Sequence, residues 1–380
     1  MDLADHRKEI DRIDAELIRL FAERMETAGK IAVYKAENGL PVFDRQREQE
    51  KLVSVCNQAP EKFEAYTASL YASLFALSRS YQHRLIAKKS PLRAEITAAC
   101  EKTEPLFPER ATVACQGVAG SYSHLAAGRL FRLPETMFFA DFGAVFSAVE
   151  QGLCRYGVIP LENSTAGSVN RVYDLMAQYD FRIVRSIRLK IDHNLLAKAG
   201  TKKEDIREIL SHEQAIAQCT DYLKQFPNAR IVRCENTAVA AKTVAESDRC
   251  DVAAIASRAC MQEYGLTCLE SSVQDLGNNY TRFICIAKTA EIYPGADRTS
   301  LMAVLPHQTG SLYQILSRFY ALGINLNKLE SRPIPERDFE FRFYFDLDTP
   351  VYSPQFLQLM DELPNLCEEF SYFGSYSEVV

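Results

Sequence analysis

The chain has 380 residues, 47% of them hydrophobic and 25% charged, and a net charge of -6; that length points to two or three domains, and the acidic balance argues against nucleic acid as a partner. No apolar run reaches the roughly 20 residues that a bilayer crossing needs, so no membrane segment is expected. The 11 cysteines include no CxxC pair, and Asp2, Asp5 and Glu9 open the chain where a signal sequence would be apolar, so reduced thiols in a cytoplasmic protein are expected.

Residues 3 to 36 read as a helix with an apolar stripe of Ile10, Ile13, Leu17, Phe21, Ala28 and Ile31. Arg24 and Lys35 fall on that stripe. An unpaired charge in an apolar interface costs several kcal/mol, so something anionic must meet them. They are eleven residues apart, which on a helix means nearly one azimuth and roughly 16 Å of rise, a span two extended side chains close around a small dianion. Arg7 lies roughly 25 Å away on the same axis and reaches that ligand only from a second copy of the helix. The alternative is a set of surface cations paired with Glu23 or Glu37.

After a break at Gly39-Leu40-Pro41, Asp44 is a good N-cap for a helix to about Asn57, with Arg47 and Glu48 in its first turns. A third helix, about Phe63 to Ile86, presents Ser78 and Gln82 on one face. Arg7, Arg24, Lys35, Asp44, Arg47, Glu48, Ser78 and Gln82 together resemble the all-helical chorismate mutase module in type, order and spacing over residues 1–86. The resemblance implies that Arg7 from a partner chain, Arg24 and Arg47 hold the two carboxylates of chorismate, that Lys35 and Gln82 donate to its ether oxygen, that Asp44 and Glu48 sit near the ring hydroxyl, and that Ser78 adds a hydrogen bond. The rearrangement is pericyclic, so it needs a held conformer and charge stabilisation rather than a nucleophile or cofactor.

Residues 87–110, with Lys88-Lys89, Pro91, Pro105 and Pro108, read as a linker holding at most a short helix from Leu92 to Cys100. From Ala111, apolar runs at 112–115, 156–159, 230–232 and 252–255 are each followed by a helical period, the α/β pattern. Ile183 to Lys198 reads as a crossing between two lobes and Tyr280 to Lys288 as the crossing back, giving two α/β lobes with a cleft between them.

Polar clusters fall where such strands end and ligands bind: Gly117 to His124, Glu162-Asn163-Ser164, Ser211-His212 with Gln218, Glu235-Asn236-Thr237, and Asn279 to Phe283. Singly each reads equally as an N-cap or loop. As a set they resemble prephenate dehydratase over residues 111–290, with Thr281-Arg282-Phe283 as the family signature. The resemblance implies that Thr281 acts on the departing ring hydroxyl, that Asn163, Ser211 and Gln218 position the substrate, and that Arg282 faces a carboxylate or braces the site. His124 stands where many members carry Glu and is read as structural. Loss of carbon dioxide and hydroxide aromatises the ring, so assistance to the hydroxyl suffices; with six histidines scattered without ligand spacing, no metal and no cofactor is expected.

Residues 298–380 read strand, helix, strand, strand, helix, strand, the ferredoxin-like α+β order βαββαβ. Gly310-Ser311-Leu312-Tyr313 at a strand-to-helix turn, with Glu330-Ser331-Arg332-Pro333, resembles the ACT regulatory domain, which implies feedback by L-phenylalanine bound between paired domains. The whole chain therefore resembles the bifunctional chorismate mutase/prephenate dehydratase family: a multidomain protein acting on chorismate and prephenate, a homodimer or, if its two association modes use different partners, a homotetramer. Two other readings are a dehydratase whose N-terminal helices serve only in oligomerisation, and a two-lobed solute-binding or amino-acid-sensing protein. Lys35→Ala leaves chorismate consumption unchanged under the first, and Thr281→Ala is silent under the second.

Overall fold

The computed structural model describes residues 2–86, 90–335, 337–338 and 340–379; Lys88 and Lys89 of the expected linker lie outside them. The chain opens with α1 (Leu3–Glu37), started by a reciprocal cap between Asp2 and Asp5. Asp44 caps α2 (Arg45–Gln58) by accepting from the Arg47 N–H at 3.0 Å. Both pack on α3 (Glu64–Ile86). Helix α1 buries only Ala28, Gly29 and Ala32. At Gly29 the lack of a side chain matters, because a Cβ there would stand 2.9 Å from Leu85 Cδ1. Ile10, Ile13 and Leu17 of the apolar stripe stay exposed. Helix α4 (Pro91–Lys102) fills much of the expected linker.

The α/β region runs β1 (Arg110–Gln116), α5 (Tyr122–Leu130), β2 (Leu133–Phe139), α6 (Phe142–Glu150), β3 (Tyr156–Asn163), β4 (Gly167–Ser168), α7 (Asn170–Gln178), β5 (Arg182–Lys190) and β6 (Asn194–Ala197). It continues with β7 (Glu208–His212), α8 (Glu213–Ala217), α9 (Thr220–Leu223), β8 (Arg230–Cys234), α10 (Thr237–Glu246), β9 (Val252–Ala256), α11 (Ala259–Tyr264), β10 (Thr267–Glu270) and β11 (Tyr280–Ala287). Then follow β12 (Arg298–Val304), α12 (Ser311–Ala321), β13 (Asn325–Pro333), β14 (Phe341–Asp348), α13 (Pro354–Glu362), β15 (Glu369–Tyr376) and β16 (Glu378–Val379).

One sheet has the order β16-β5-β11-β3-β1-β2, with β4 on β3; the next has the order β10-β6-β9-β7-β8. The segment expected to cross between lobes gives β5 to one sheet and β6 to the other, and β11 returns to lie antiparallel between β3 and β5. Val113, Tyr156, Val158 and Cys285 anchor the first core, and Leu210, Ala241, Ala254 and Cys260 that beneath the second sheet. The third sheet, β13-β14-β12-β15, with α12 and α13 between its strands in sequence, has the ferredoxin-like strand order.

The chain divides into two compact units, Met1–Glu95 with Met302–Phe370, and Ile96–Leu301 with Ser371–Val380. In the first unit, Arg318 of α12 is 3% exposed, donates to the Ala76 carbonyl of α3 at 3.2 Å and pairs with Glu362 of α13 at 3.5 Å. Beside it, burial together with the charges of Arg318 and Arg79 pushes the His83 pKa down to about 4. Among the described residues no helix is long and apolar enough to cross a membrane.

Candidate active sites

A pocket of about 470 Å³ opens among α1, α2 and α3, lined among others by Arg24, Lys35, Asp44, Arg47, Glu48, Phe75, Ser78, Arg79 and Gln82. Helical spacing converges these groups: Arg24 and Lys35 lie three turns apart on α1, while Ser78 and Gln82 lie one turn apart on α3. Arg24 donates to the Ser78 hydroxyl and stands 5.8 Å over the Phe75 ring. Lys35 Nζ donates to the Val42 carbonyl at 2.8 Å. Arg79 clamps both oxygens of Glu48, one at 2.6 Å, and lies 5.2 Å over Phe43. Gln82 is 9% exposed, and its Oε1 meets no hydrogen-bond partner among the described residues. Such an acceptor costs free energy until a ligand or water satisfies it. Four cations face an apolar floor, a design that suits a small multivalent anion.

A cleft of about 370 Å³ lies in the second unit, where the ends of β3, β7 and β11 meet the starts of α5, α8 and α10. Asn163 is its hub. Its Nδ2 donates to Thr281 Oγ1 at 2.8 Å and to Asn279 Oδ1 at 2.7 Å, while its Oδ1 accepts from Thr165 and Ala166. Gln218 Nε2 donates to Thr165 Oγ1 at 2.8 Å, and its Oε1 accepts from Asn279 at 2.9 Å and lies 2.9 Å from His193 Nε2. An amide oxygen only accepts, so His193 Nε2 carries the proton and Nδ1, without a partner among the described residues, is the acceptor. Burial lowers the His193 pKa, which keeps the ring neutral. Asn236 caps α10 through the Val239 N–H and Ser121 caps α5, so two helix N-termini face the cleft.

The chorismate mutase type II family pattern matches residues 6–83 and the prephenate dehydratase pattern residues 113–291. Across its whole length the chain is 32% identical to the bifunctional chorismate mutase/prephenate dehydratase of Aquifex aeolicus (strain VF5), covering 99% of that protein. The chain belongs to the bifunctional chorismate mutase/prephenate dehydratase family. It is an enzyme that rearranges chorismate to prephenate and converts prephenate to phenylpyruvate, steps of phenylalanine biosynthesis. Among solved structures, GqqA, described as a novel type of quorum quenching acylase, shares 28% identity at a TM-score of 0.65, over 70% of this chain and 98% of that one. The prephenate dehydratase of Arthrobacter aurescens, solved with L-Phe, shares 27% at 0.64, over 70% of this chain and 90% of that one.

Of the eight residues expected at the mutase site, Arg24, Lys35, Asp44, Arg47, Glu48, Ser78 and Gln82 line its pocket, and Arg7 lies outside on the exposed start of α1. Of those expected at the dehydratase site, Asn163, Gln218 and Thr281 line the cleft. Ser211 does not: it is fully buried, and its hydroxyl is committed to the Ile255 carbonyl at 2.7 Å. Strand alternation turns its neighbour His212 to the cleft instead. Arg282 also points away from the cleft, to the opposite face of β11, which leaves bracing as its geometry. His124 is not among the cleft-lining residues; it accepts from the Gly120 N–H at 3.1 Å and meets Phe138 edge to face.

Sequence reasoning missed Arg79 and His193. Arg79 is a cation on a mostly apolar helix, the same misfit that singled out Arg24. His193 sits in the polar run Asp192-His193-Asn194 between β5 and β6, and that interruption of two apolar strands was its signal.

Proposed function

We propose that the mutase reaction is carried by the cations of the first pocket, with Arg7 of a second copy completing it. Arg24 and Arg47 hold the carboxylates of chorismate, while Lys35, which keeps protons beyond the one given to Val42, and Gln82 donate to the ether oxygen as it gains charge. Asp44 and Glu48 face the ring hydroxyl and Ser78 binds substrate. The exposed stripe of α1 supports the second copy, because isolated soluble chains rarely leave a row of Ile and Leu to water.

In the dehydratase cleft, Thr281 donates a hydrogen bond to the hydroxyl that leaves as the ring aromatises. The observation that carries this reading is the Asn163 bond: Thr281 Oγ1 accepts from Asn163 and so has its own proton available for a ligand. The helix N-termini of α5 and α10 suit the carboxylates of prephenate. Asn163 and Gln218 hold the geometry.

The ferredoxin-like module is an ACT domain that binds L-phenylalanine through Gly310, Ser311, Leu312 and Tyr313 and through Glu330, Ser331, Arg332 and Pro333. Gly310 caps α12 with φ 88°, Ser311 Oγ donates to the Pro306 carbonyl at 2.7 Å, and β13 is an edge strand able to pair with a second copy. Purified protein given chorismate alone should form phenylpyruvate, and L-phenylalanine should suppress it. Untouched chorismate would defeat the mutase assignment, and indifference to phenylalanine the effector assignment.

A further inference from the structure

Alternation along β11 sends Thr281 and Phe283 to the cleft and Arg282 to the other face, where its side chain is 6% exposed. A guanidinium so deeply placed persists only if it is paired. Glu162, beside Asn163 on β3, accepts from it at 3.0 Å. Two further partners come from 94 residues or more away in sequence: the Tyr376 hydroxyl accepts from Arg282 Nη2, and Glu378 Oε2 lies 3.5 Å from Arg282 Nε. Tyr376 is held in turn 2.6 Å from Ser300 Oγ. Glu378, 3% exposed, also accepts from Arg188 at 2.6 Å and lies 3.2 Å from Arg298. Arg188 is the register neighbour of Arg282 on β5, and like charges directly opposite on adjacent strands repel. The Glu378 carboxylate supplies the counter-charge for that pair.

The route of the chain favours this placement. Gly374 has φ 129°, and a Cβ there would fall 2.3 Å from the Ile183 carbonyl oxygen, so only glycine lets the segment run this close to β5. Beyond it, Ser377 O accepts from the Ser186 N–H at 3.1 Å, and β16 continues parallel to β5.

We propose that Tyr376 and Glu378 are positioning residues of the dehydratase: they fix Arg282 against Glu162, and the β3–β11 register so locked holds Thr281 against Asn163 on the cleft side. The proposal rests on the reading of Thr281 given above. Both variants, Tyr376→Phe and Glu378→Gln, are made in the full chain and assayed from prephenate and from chorismate, beside Thr281→Ala and Arg282→Met. The expected result is a dehydratase kcat lowered about tenfold by Tyr376→Phe and further by Glu378→Gln, with KM within twofold. Mutase turnover stays unchanged, and Glu378→Asp recovers part of the loss. In an Arg282→Met background, Tyr376→Phe should cost less than twofold more, because its effect runs through the arginine.

A full kcat with only a lower melting temperature, or penalties that multiply undiminished in the Arg282→Met background, would overturn the proposal. If Glu378→Gln does not fold, Tyr376→Phe, which removes one hydroxyl, still decides. An active Thr281→Ala would sink the reading of the cleft itself, whereas an inactive Thr281→Ala beside a fully active Tyr376→Phe would sink the positioning role alone.

Discussion

The mutase pocket is lined by long cations, Arg24, Lys35, Arg47 and Arg79, whereas among the described residues no Lys or Arg lines the dehydratase cleft, which offers amides, hydroxyls, two imidazoles, Glu235 and two helix N-termini. Both sites take a substrate with two carboxylates, so net charge does not explain the contrast. The chemistry does. A pericyclic rearrangement gains from charge aimed at an oxygen that grows negative. A departing hydroxyl gains from a proton donor whose direction is fixed, the role proposed for Thr281, whose hydroxyl is oriented by its bond from Asn163. The cationic solution draws long side chains from three helices, whereas the cleft is built from strand ends and helix starts.

The largest expected effect separates the two sites. Lys35→Ala should lower mutase kcat roughly a hundredfold to a thousandfold and leave prephenate dehydration within twofold, and Thr281→Ala should do the reverse. Loss of both activities from either substitution, in assays of each substrate separately, would break the comparison. Arg79→Met sharpens it. Removing the clamp on Glu48 should cost about tenfold in mutase kcat/KM, roughly 1.4 kcal/mol, with the dehydratase untouched. Salt gives a smaller contrast: raising NaCl from about 0.05 to about 0.5 M should increase the KM for chorismate several-fold and that for prephenate less than twofold, because exposed cations such as Arg47 are screened and helix termini inside a cleft are screened less.

The smallest effect is on stability. His83 titrates at about 4 when folded and near 6.5 when unfolded, so the unfolded chain binds the extra proton between those values. The contribution of His83 is complete above about pH 6.5 and is lost as pH falls toward 4, by at most ~3 kcal/mol, reduced further by partial exposure. Thermal melts between pH 7 and 4.5 should show a shallower loss in His83→Gln than in the parent chain.

Much of this was legible in the sequence because helices announce themselves locally. The stripe of α1, the Asp44 cap and the positions of Ser78 and Gln82 follow from a period of 3.6 and needed no partner strand. The order of the ferredoxin-like strands was readable for a similar reason, each being a run between turn residues. What escaped reading depended on pairing. Strand β2 contains Pro134 and Glu135 and borders the sheet, so its half-exposed pattern lacks an apolar face. The sequence assigns Ser211 to substrate and leaves Arg282 either facing a carboxylate or bracing the site, because a strand shows two faces, and which one meets the cleft is settled by register with distant neighbours. Strand β16, which carries Glu378 to Arg188, Arg282 and Arg298, pairs with β5, almost two hundred residues earlier.

By packing, Ser371–Val380 belongs with Ile96–Leu301, although most of the ferredoxin-like module lies between them in sequence. In topological terms that module is an insertion within the dehydratase rather than an appendage to it. Cutting the chain before Arg298 to isolate the dehydratase removes Tyr376 and Glu378 along with the module. Inactivity of such a fragment would be mistaken for a catalytic need for the ferredoxin-like module. A deletion that joins residue 304 to residue 369 by a short flexible linker keeps β12 and β15 whole, and with them Ser300 and Tyr376.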